Sequence, residues 1–598
     1  MKSKRKRTII ILVAAVIAAL LAALIVILIS RSGDNGNDND SEPPDYNLLD
    51  DTNNENNEQN DIHQDYEPDS NNDYNDTFPY GNPNPSPAEA AFTHPPAADF
   101  NGIRLDPTTG RLIPTAFNRV ATFENPNPGN APPLTPTRFI YVGLGGSDTN
   151  PGTYDQPFAT LRRAVEVVQP GQAIRLLPGN YATVSGVGST SHDLVRGTAE
   201  APIWIGGVPG MERPVIRRIT INQAQYVIFH DIEVSGHNEL YHGIHFTDGG
   251  VIASPGEEPA AHHIVFRNLL VHDIRIGHFK FAGMYNVWMF DVELADNSPN
   301  VQDGFTRGHG VINSVGCHNF VVAYNYFHNL AGNAIKFKGG SSEVDIFGNL
   351  FVNAGFHNVQ MGQFTGQFLF RPPLQSPPTS TCVEAHNIRT YSNIMIGAGA
   401  GFVFQGGMHN YAVNNTIIMP FRWIYRVLGV DAREYLYNYG FARYGTIANN
   451  LFVFDHFPGG PGNYLINVGG GTYPDTFTFT NNLFFNLDDP GQLPAGLDSF
   501  NHTNTIGNDP LLINYTNILY ANEARPQVDW PLPQDDCWVE RARRVATIQV
   551  SDLRLSADSP AIGAGSDAFG FVTYDFFGRP FGSTPSIGAA EFTVEFTR

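Results

Sequence analysis

A short apolar strand, an Asn or Asp, and a second apolar pair recur along most of this chain. That recurrence restricts the fold more than any other feature. YVIFHDIEV, IVFRNLLV, NVWMFDVEL, FVVAYNYF, VDIFGNLF, IRTYSNIM, YAVNNTII, GTIANNLF and FTFTNNLF all carry it, with the polar position at Asp231, Asn268, Asp291, Asn325, Asn349, Asn393, Asn415, Asn450 and Asn482. Spacings of 22 to 24 residues separate Asn268 from Asp291, Asn325 from Asn349 and Asn393 from Asn415, and the wider gaps of 32 to 44 are one such unit plus an inserted loop. Short strands and a polar turn residue at this period mark the coil of a parallel β-helix. A single coil cannot bury its apolar face; stacking buries it between neighbours, and amides at one corner can join into a hydrogen-bonded ladder. Leucine-rich repeats have a similar length but need leucines at fixed offsets, which this sequence lacks.

The remaining regions are set apart by composition. Five cations (Lys2, Lys4, Arg5, Lys6, Arg7) precede an unbroken apolar run from Ile9 to Ile29. At about 1.5 Å per residue the run covers about 31 Å, the thickness of a bilayer core. It reads as an uncleaved signal anchor with its basic tail in the cytoplasm and the rest of the chain outside. Residues 32–103 contain no Lys or Arg. Their Asn/Asp-rich and then Pro-rich sequence lacks the apolar content for a core, which predicts a disordered, extended linker. The expected organisation is a basic tail (1–7), a membrane span (8–30), a linker (31–136), a solenoid (137–525) and a closing segment (526–598). The net charge is −22, and no clustered basic surface points to nucleic acid. The three cysteines, Cys317, Cys382 and Cys537, have no metal-type spacing and predict no disulfide framework.

The solenoid opens with a strand (Phe139–Val142), a Gly/Asn/Pro loop, a helix near Pro157–Val168 and another strand (Ala173–Leu177). Phe158, Leu161, Val165 and Val168 share one helical face, and Pro157 suits a first turn. This entry and the coils that follow resemble the pectate-lyase-like, right-handed parallel β-helix superfamily. The tail, LRLSADSPAIGAGSD then YDFFGRPFGSTPSIGAAEF, is similar to the closing segment of such surface proteins. The resemblance implies an all-β, single-stranded right-handed parallel β-helix solenoid whose N-terminal helix caps the first coil. It says little about activity, because this superfamily holds lyases, hydrolases, epimerases and adhesins.

Coil alignment indicates which side chains stack. Ile335/Phe337, Ile244/Phe246, Phe279/Phe281, Val359/Met361 and Phe402/Phe404 should point inward. His245, Lys280, Lys336, Gln360 and Val403, between the members of each pair, should then face out. Lys338 lies one step beyond Lys336. The coil between Lys280 and Lys336 is expected to add Asp303, Arg307 and His309 from QDGFTRGHG. The outcome is a cationic groove on an acidic protein, and its expected partner is an anionic polysaccharide or cell-envelope glycan, bound by a monomer.

Such a groove suits β-elimination on a uronate glycan. The C5 proton becomes removable once the adjacent carboxylate is neutralised, and a lysine among other cations has a lowered pKa that fits it to be the base. The expected catalytic residues are Lys336 or Lys338 as base, with Arg307, His309 and Lys280 around them. Substrate contacts are expected from His245, Lys280 and Gln360, and from Arg371 and Phe370 in the long insertion 363–384. The family's pectate lyases carry an aspartate cluster for Ca²⁺. Here Asp296 and Asp303 are the candidate ligands, without an adjacent Asp pair. Polygalacturonases carry a G-H-G preceded by D-D; only RGHG (307–310) is present, so a hydrolase is the weaker fit. A non-catalytic glycan-binding or surface-structural protein is the alternative, since outward lysines also solubilise strands.

Overall fold

The computed structural model describes residues 122–125 and most of 134–592, leaving out 182–183, 188–193, 237–241, 254–256, 297–311, 331, 367–368, 372–382, 421, 431–440, 456–465 and 514–552. One coil shows the path of the chain. Ile335–Lys338 runs into a Gly339-Gly340 turn, Ser341–Phe347 follows, Leu350–Val352 comes next, and His357–Met361 opens the next coil. Gly339 and Gly340 have φ of 63° and 82°, a region that glycine enters without steric cost. This explains why two glycines break the strand after Lys338.

Three parallel faces result. Strands equivalent to Ser341–Phe347 and Leu350–Val352 build the first and second faces within one 22-stranded sheet, and those equivalent to Ile335–Lys338 build a separate ten-stranded third face. Successive coils pair in parallel, residue for residue. The expected inward residues are inward: Ile244, Phe246, Phe279, Phe281, Ile335, Phe337, Val359, Met361, Phe402 and Phe404 are all at most 1% exposed. Phe246, Phe266, Phe281, Phe320 and Phe337 form a continuous column of rings with centroids 5.1–5.6 Å apart.

The amide ladder runs along the corner between the first and second faces. Nδ2 of Asn325, Asn349, Asn393, Asn415 and Asn450 each donates to Oδ1 of the next asparagine, ending at Asn482, at 3.0–3.1 Å. Each Oδ1 also accepts the backbone N–H of the preceding coil's asparagine. All six are fully buried. Asp231, Asn268 and Asp291 do not belong to this ladder, contrary to the sequence alignment. They sit one position earlier, at φ 49–53°, where later coils place Tyr324, Ser392, Asn414, Asn449 and Asn481. The ladder position in the earlier coil is Val292, whose N–H bonds Asn325 Oδ1. Two polar preferences, one for a left-handed turn and one for a buried amide, fall on adjacent residues and look alike in sequence.

At the entry, Thr160 caps a helix spanning Leu161–Val167, and its side chain accepts from Arg163 N. The helix starts later than expected because Thr160, rather than Pro157, supplies the start signal. Phe158, Leu161 and Val165 are buried as expected. Within the stretch expected to be linker, Thr122–Asn125 are buried: Phe123 packs on Tyr226 and Trp288, and Glu124 accepts from Trp204 Nε1 at 2.8 Å. The tail lies along the second face, where Leu553, Leu555, Phe576, Phe577 and Ile587 cluster with Ile394, Ile418, Leu451 and Leu483. The expected membrane span, 8–30, lies outside the described residues.

The ladder's contribution is measurable. Asn393→Ala removes the acceptor for Asn349 N–H and Nδ2 and the donor to Asn415. With each stranded buried group worth about 1–3 kcal/mol, urea unfolding should show a loss of about 2–5 kcal/mol with an unchanged m-value.

Candidate functional site

The third face carries a row of outward side chains fixed by strand register. His245 pairs with Lys280, Lys280 with Asn313, Asn313 with Lys336, and Lys336 with Gln360. Beyond Gln360 the row continues through Val403, Arg426 and Asn467. With strands about 4.8 Å apart, Lys280 and Lys336 stand about 10 Å apart. Lys338 belongs to the adjoining row, opposite Val315. The position between Lys280 and Lys336 is held by Asn313, not by Arg307 or His309. Arg307, His309 and Asp303 lie outside the described residues.

The lysines are covered rather than solvent-facing. Lys280 is 7% exposed, Lys336 1% and Lys338 4%. Lys336 Nζ donates to Gln363 Oε1 at 2.7 Å, and Lys338 Nζ donates to the Phe364 carbonyl at 3.3 Å. Gln360 is also engaged, donating to Gln405 Oε1 and accepting from Asn333 Nδ2, both at 2.8 Å. His245 is half-buried, its ring 5.8 Å from that of His242. The sequence holds a signal for this face that strand alternation does not use: beyond Lys6 the chain has three lysines, Lys280, Lys336 and Lys338. All three lie on these two adjoining rows, while every other cation after Lys6 is an arginine.

A strap from the long insertion covers the row's edge. A glycine follows five successive third-face strands: Gly283, Gly316, Gly339, Gly362 and Gly406, with φ between 57° and 94°. Together they form a groove without side chains, and the strap climbs back along it toward earlier coils. A Cβ on Gly339 would meet Thr365 Cγ2 at 3.0 Å, and one on Gly316 would meet Arg371 Cγ at 2.4 Å. On Gly283 a Cβ would strike Asp248 Oδ2 at 2.1 Å. Arg371 Nε donates to Asp248 Oδ2 at 2.6 Å. Arg371 is 8% exposed and Phe370 fully buried, and Arg371 fastens the strap through Asp248. Thr365 N–H and Oγ1 both donate to Glu384 at 2.7 Å, and Gly339 N–H donates at 2.9 Å.

Asp248 and Glu384 are the acidic residues that strand alternation passed over. Both follow or precede a strand rather than lying within it; the glycine after five successive third-face strands (FAG, SVG, FKG, QMG, FQG) is the signal that something crosses there. Burial pushes the Glu384 carboxyl up to about 7, against the pull of the Thr365 and Gly339 hydrogen bonds and of Lys338. Of the two expected calcium ligands, Asp296 is described and Asp303 is not. Among the described residues no three His, Cys, Asp or Glu side chains converge. Asp296 occupies a left-handed turn at φ 53°, a backbone role shared with Asp273, Asn329 and Asn353 in neighbouring coils. Cys317 is fully buried, its thiol pushed up to about 12 by desolvation, which leaves it unreactive.

A carboxyl with a raised pKa binds its proton more tightly in the fold than in the unfolded chain. Its stabilising effect is present below the ordinary value of about 4.5 and is lost as pH rises to about 7. Glu384→Gln should therefore flatten the fall in stability between those pH values relative to the parent, read by urea unfolding across that range.

With this geometry in view, likeness to known proteins can be placed. A family model described as a protein of unknown function, DUF1565, matches residues 144–187. No curated protein matches the chain. Among solved structures, pectate lyase Pel9A is similar at 15% identity over 77% of this chain and 98% of that one, with a TM-score of 0.39. The mannuronan C-5 epimerase AlgE6 A-module from Azotobacter vinelandii gives 14%, 58%, 93% and 0.39 for the same quantities. The GH136 lacto-N-biosidase from Eubacterium ramulus gives 15%, 62%, 67% and 0.37. The functional reading below rests on this chain's own side chains.

Proposed function

We propose that this chain is a polysaccharide-active β-helix protein whose third face handles a uronate-containing glycan by β-elimination, outside the cell, on a linker anchored by Ile9–Ile29. The observation that carries the reading is the placement of all three lysines after Lys6 on two adjoining rows of one face, at register positions that also gather His245, Asn313 and Gln360. Lysine differs from arginine in having a pKa that its surroundings can bring into a useful range. Three of them on one face, in a solenoid that otherwise uses arginine, is a pattern for proton transfer and carboxylate binding rather than for solubility.

In the reaction, Lys336 in its neutral form takes the C5 proton of a uronate. The C4–O bond breaks as the C4–C5 double bond forms, and the departing glycosidic oxygen takes the proton that Lys336 has gained, which returns the lysine to its neutral form. Lys280, two register steps away, faces the substrate carboxylate and offsets the charge that builds on it in the transition state. Asn313 and Gln360, on either side of Lys336, supply neutral donors for hydroxyls. Lys338, opposite Val315 and two residues along the strand from Lys336, adds a second amine to this part of the face.

The burial of Lys336 and Lys338, with their tips on Gln363 and the Phe364 carbonyl, favours a second reading. In it the face binds a glycan without cleaving it. Ultraviolet absorbance of unsaturated uronates separates the two, using pectin, alginate and glycosaminoglycans with and without Ca²⁺. Under the lyase reading at least one polymer gives rising absorbance, and Lys336→Met, which keeps the packed stem, lowers the rate by about 10²–10⁴-fold, the usual worth of a general base. Retention of a polyuronate by affinity electrophoresis with no absorbance change establishes the binding reading instead. An unaltered rate in Lys336→Met removes Lys336 from the mechanism.

A further inference from the structure

We infer that the first face carries a recognition site for an aromatic side chain followed by a carboxylate, filled in this chain by its own Phe123–Glu124, and that the N-terminal stretch is fastened to the solenoid there. The site lies on a different face from the lysines and does not depend on the function proposed for them.

Successive coils assemble the site. Trp204 and Trp288 stand in one outward row, aligned through Ile228 and Val265, and Arg267 stands in the adjoining row. Tyr226 and His263 add two rings stacked 4.5 Å apart. Phe123 meets Tyr226, His263 and Trp288 edge-to-face, with centroids at 5.5, 6.1 and 5.9 Å, contacts that favour an aromatic ring beyond its burial alone. Desolvation lowers the His263 pKa to about 3, so its ring stays neutral beside Phe123. Glu124 Oε1 accepts from Trp204 Nε1 at 2.8 Å and from Arg267 Nη2 at 3.3 Å. An indole N–H and a guanidinium converging on one oxygen select a carboxylate. The occupant's backbone turns on itself: Thr122 N–H donates to the Asn125 carbonyl at 3.2 Å, and Asn125 N–H to Thr122 Oγ1 at 3.3 Å. Leu134 N–H donates to the Glu124 carbonyl at 3.0 Å, which ties the approach to the first coil to the same place. Residues 122–125 belong to no helix or strand, yet none is more than 8% exposed, so the face supplies their order. A segment tethered beside its site has an effective concentration of millimolar order, and a modest intrinsic affinity then keeps the site filled. The same two side chains on a separate peptide would compete for it.

Competition in trans tests this. A peptide with blocked ends and the sequence VATFENPN, residues 120–127, is added to the full chain and to its Phe123→Ser/Glu124→Ser variant, and binding is read by saturation-transfer NMR. The variant should bind the peptide with a Kd of millimolar order, and the parent, whose site is already filled, about tenfold or more weakly. Phe123→Ala and Glu124→Ala versions of the peptide should each bind about fivefold or more weakly, the worth of one buried contact. Trp204→Phe, added to the variant chain, should weaken the unaltered peptide and leave the Glu124→Ala peptide unaffected. Equal affinity of the peptide for parent and variant overturns the inference. So does absence of binding well above the millimolar range by a variant whose circular dichroism matches the parent's. A second measurement needs one substitution and no peptide: hydroxyl-radical footprinting of the parent and of Glu124→Ala, read by peptide mass spectrometry. Trp204, 2% exposed in the parent, should oxidise about fivefold or more faster in Glu124→Ala, as when a local opening replaces a closed state. Trp423, on the third face, should keep its rate. An unchanged rate at Trp204 overturns the fastening, and so does an equal rise at Trp423.

Discussion

Everything described here depends on one constraint: each coil hydrogen-bonds to the next in parallel, without a slip, through the whole of the third face from His242 to Val468. Because side chains alternate along a strand, a slip of one residue would exchange the phenylalanine column for the lysines. Register is held by the inward apolar pairs, which leave no room for a polar intruder, and by the glycines that follow five successive third-face strands, from Gly283 to Gly406. Side chains far apart in sequence become neighbours through this regularity alone. Lys280 and Lys336 meet across Asn313, and Asp248 and Arg371 across Gly283 and Gly316.

Much of this was legible in the sequence, and for a physical reason. The period of a coil and the alternation of a strand are local properties, so the inward pairs from Ile244/Phe246 to Phe402/Phe404 follow directly from spacing. The row of His245, Lys280, Lys336 and Gln360 follows from the same alignment. What spacing could not supply was the loop connectivity. QDGFTRGHG was aligned into the row, whereas the paired strand is Ile312–Val315 and its outward residue is Asn313. The length of an insertion conceals where the next strand begins. Asp231, Asn268 and Asp291 were placed one residue out because a left-handed turn and a buried amide ladder both select short polar side chains.

The covering of the lysines was illegible for a different reason. Alternation separates inside from outside on a strand but does not tell whether an outward position meets water or another segment. Phe370 and Arg371 read well as ligand contacts because an aromatic ring and a guanidinium are what glycans select. The same two groups are equally suited to closing a strap, one by burial and the other by a paired charge. The deciding residues, Asp248 and Glu384, each lie at the edge of a strand, where a pattern built from strand interiors has nothing to say.

The asparagine ladder reaches from Asn325 to Asn482 and stops, with Val292 taking the equivalent place in the coil before. In a solenoid, rigidity is local to each junction between repeats. Coils after this boundary are stitched at their corner by a buried asparagine column as well as by backbone, and those before it by other side-chain links, such as Asn268 Nδ2 donating to Asp231 Oδ1. Lys280 stands on the coil just before this column begins and Lys336 on a coil within it. A polymer lying along both lysines would therefore cross the point where one kind of corner gives way to the other.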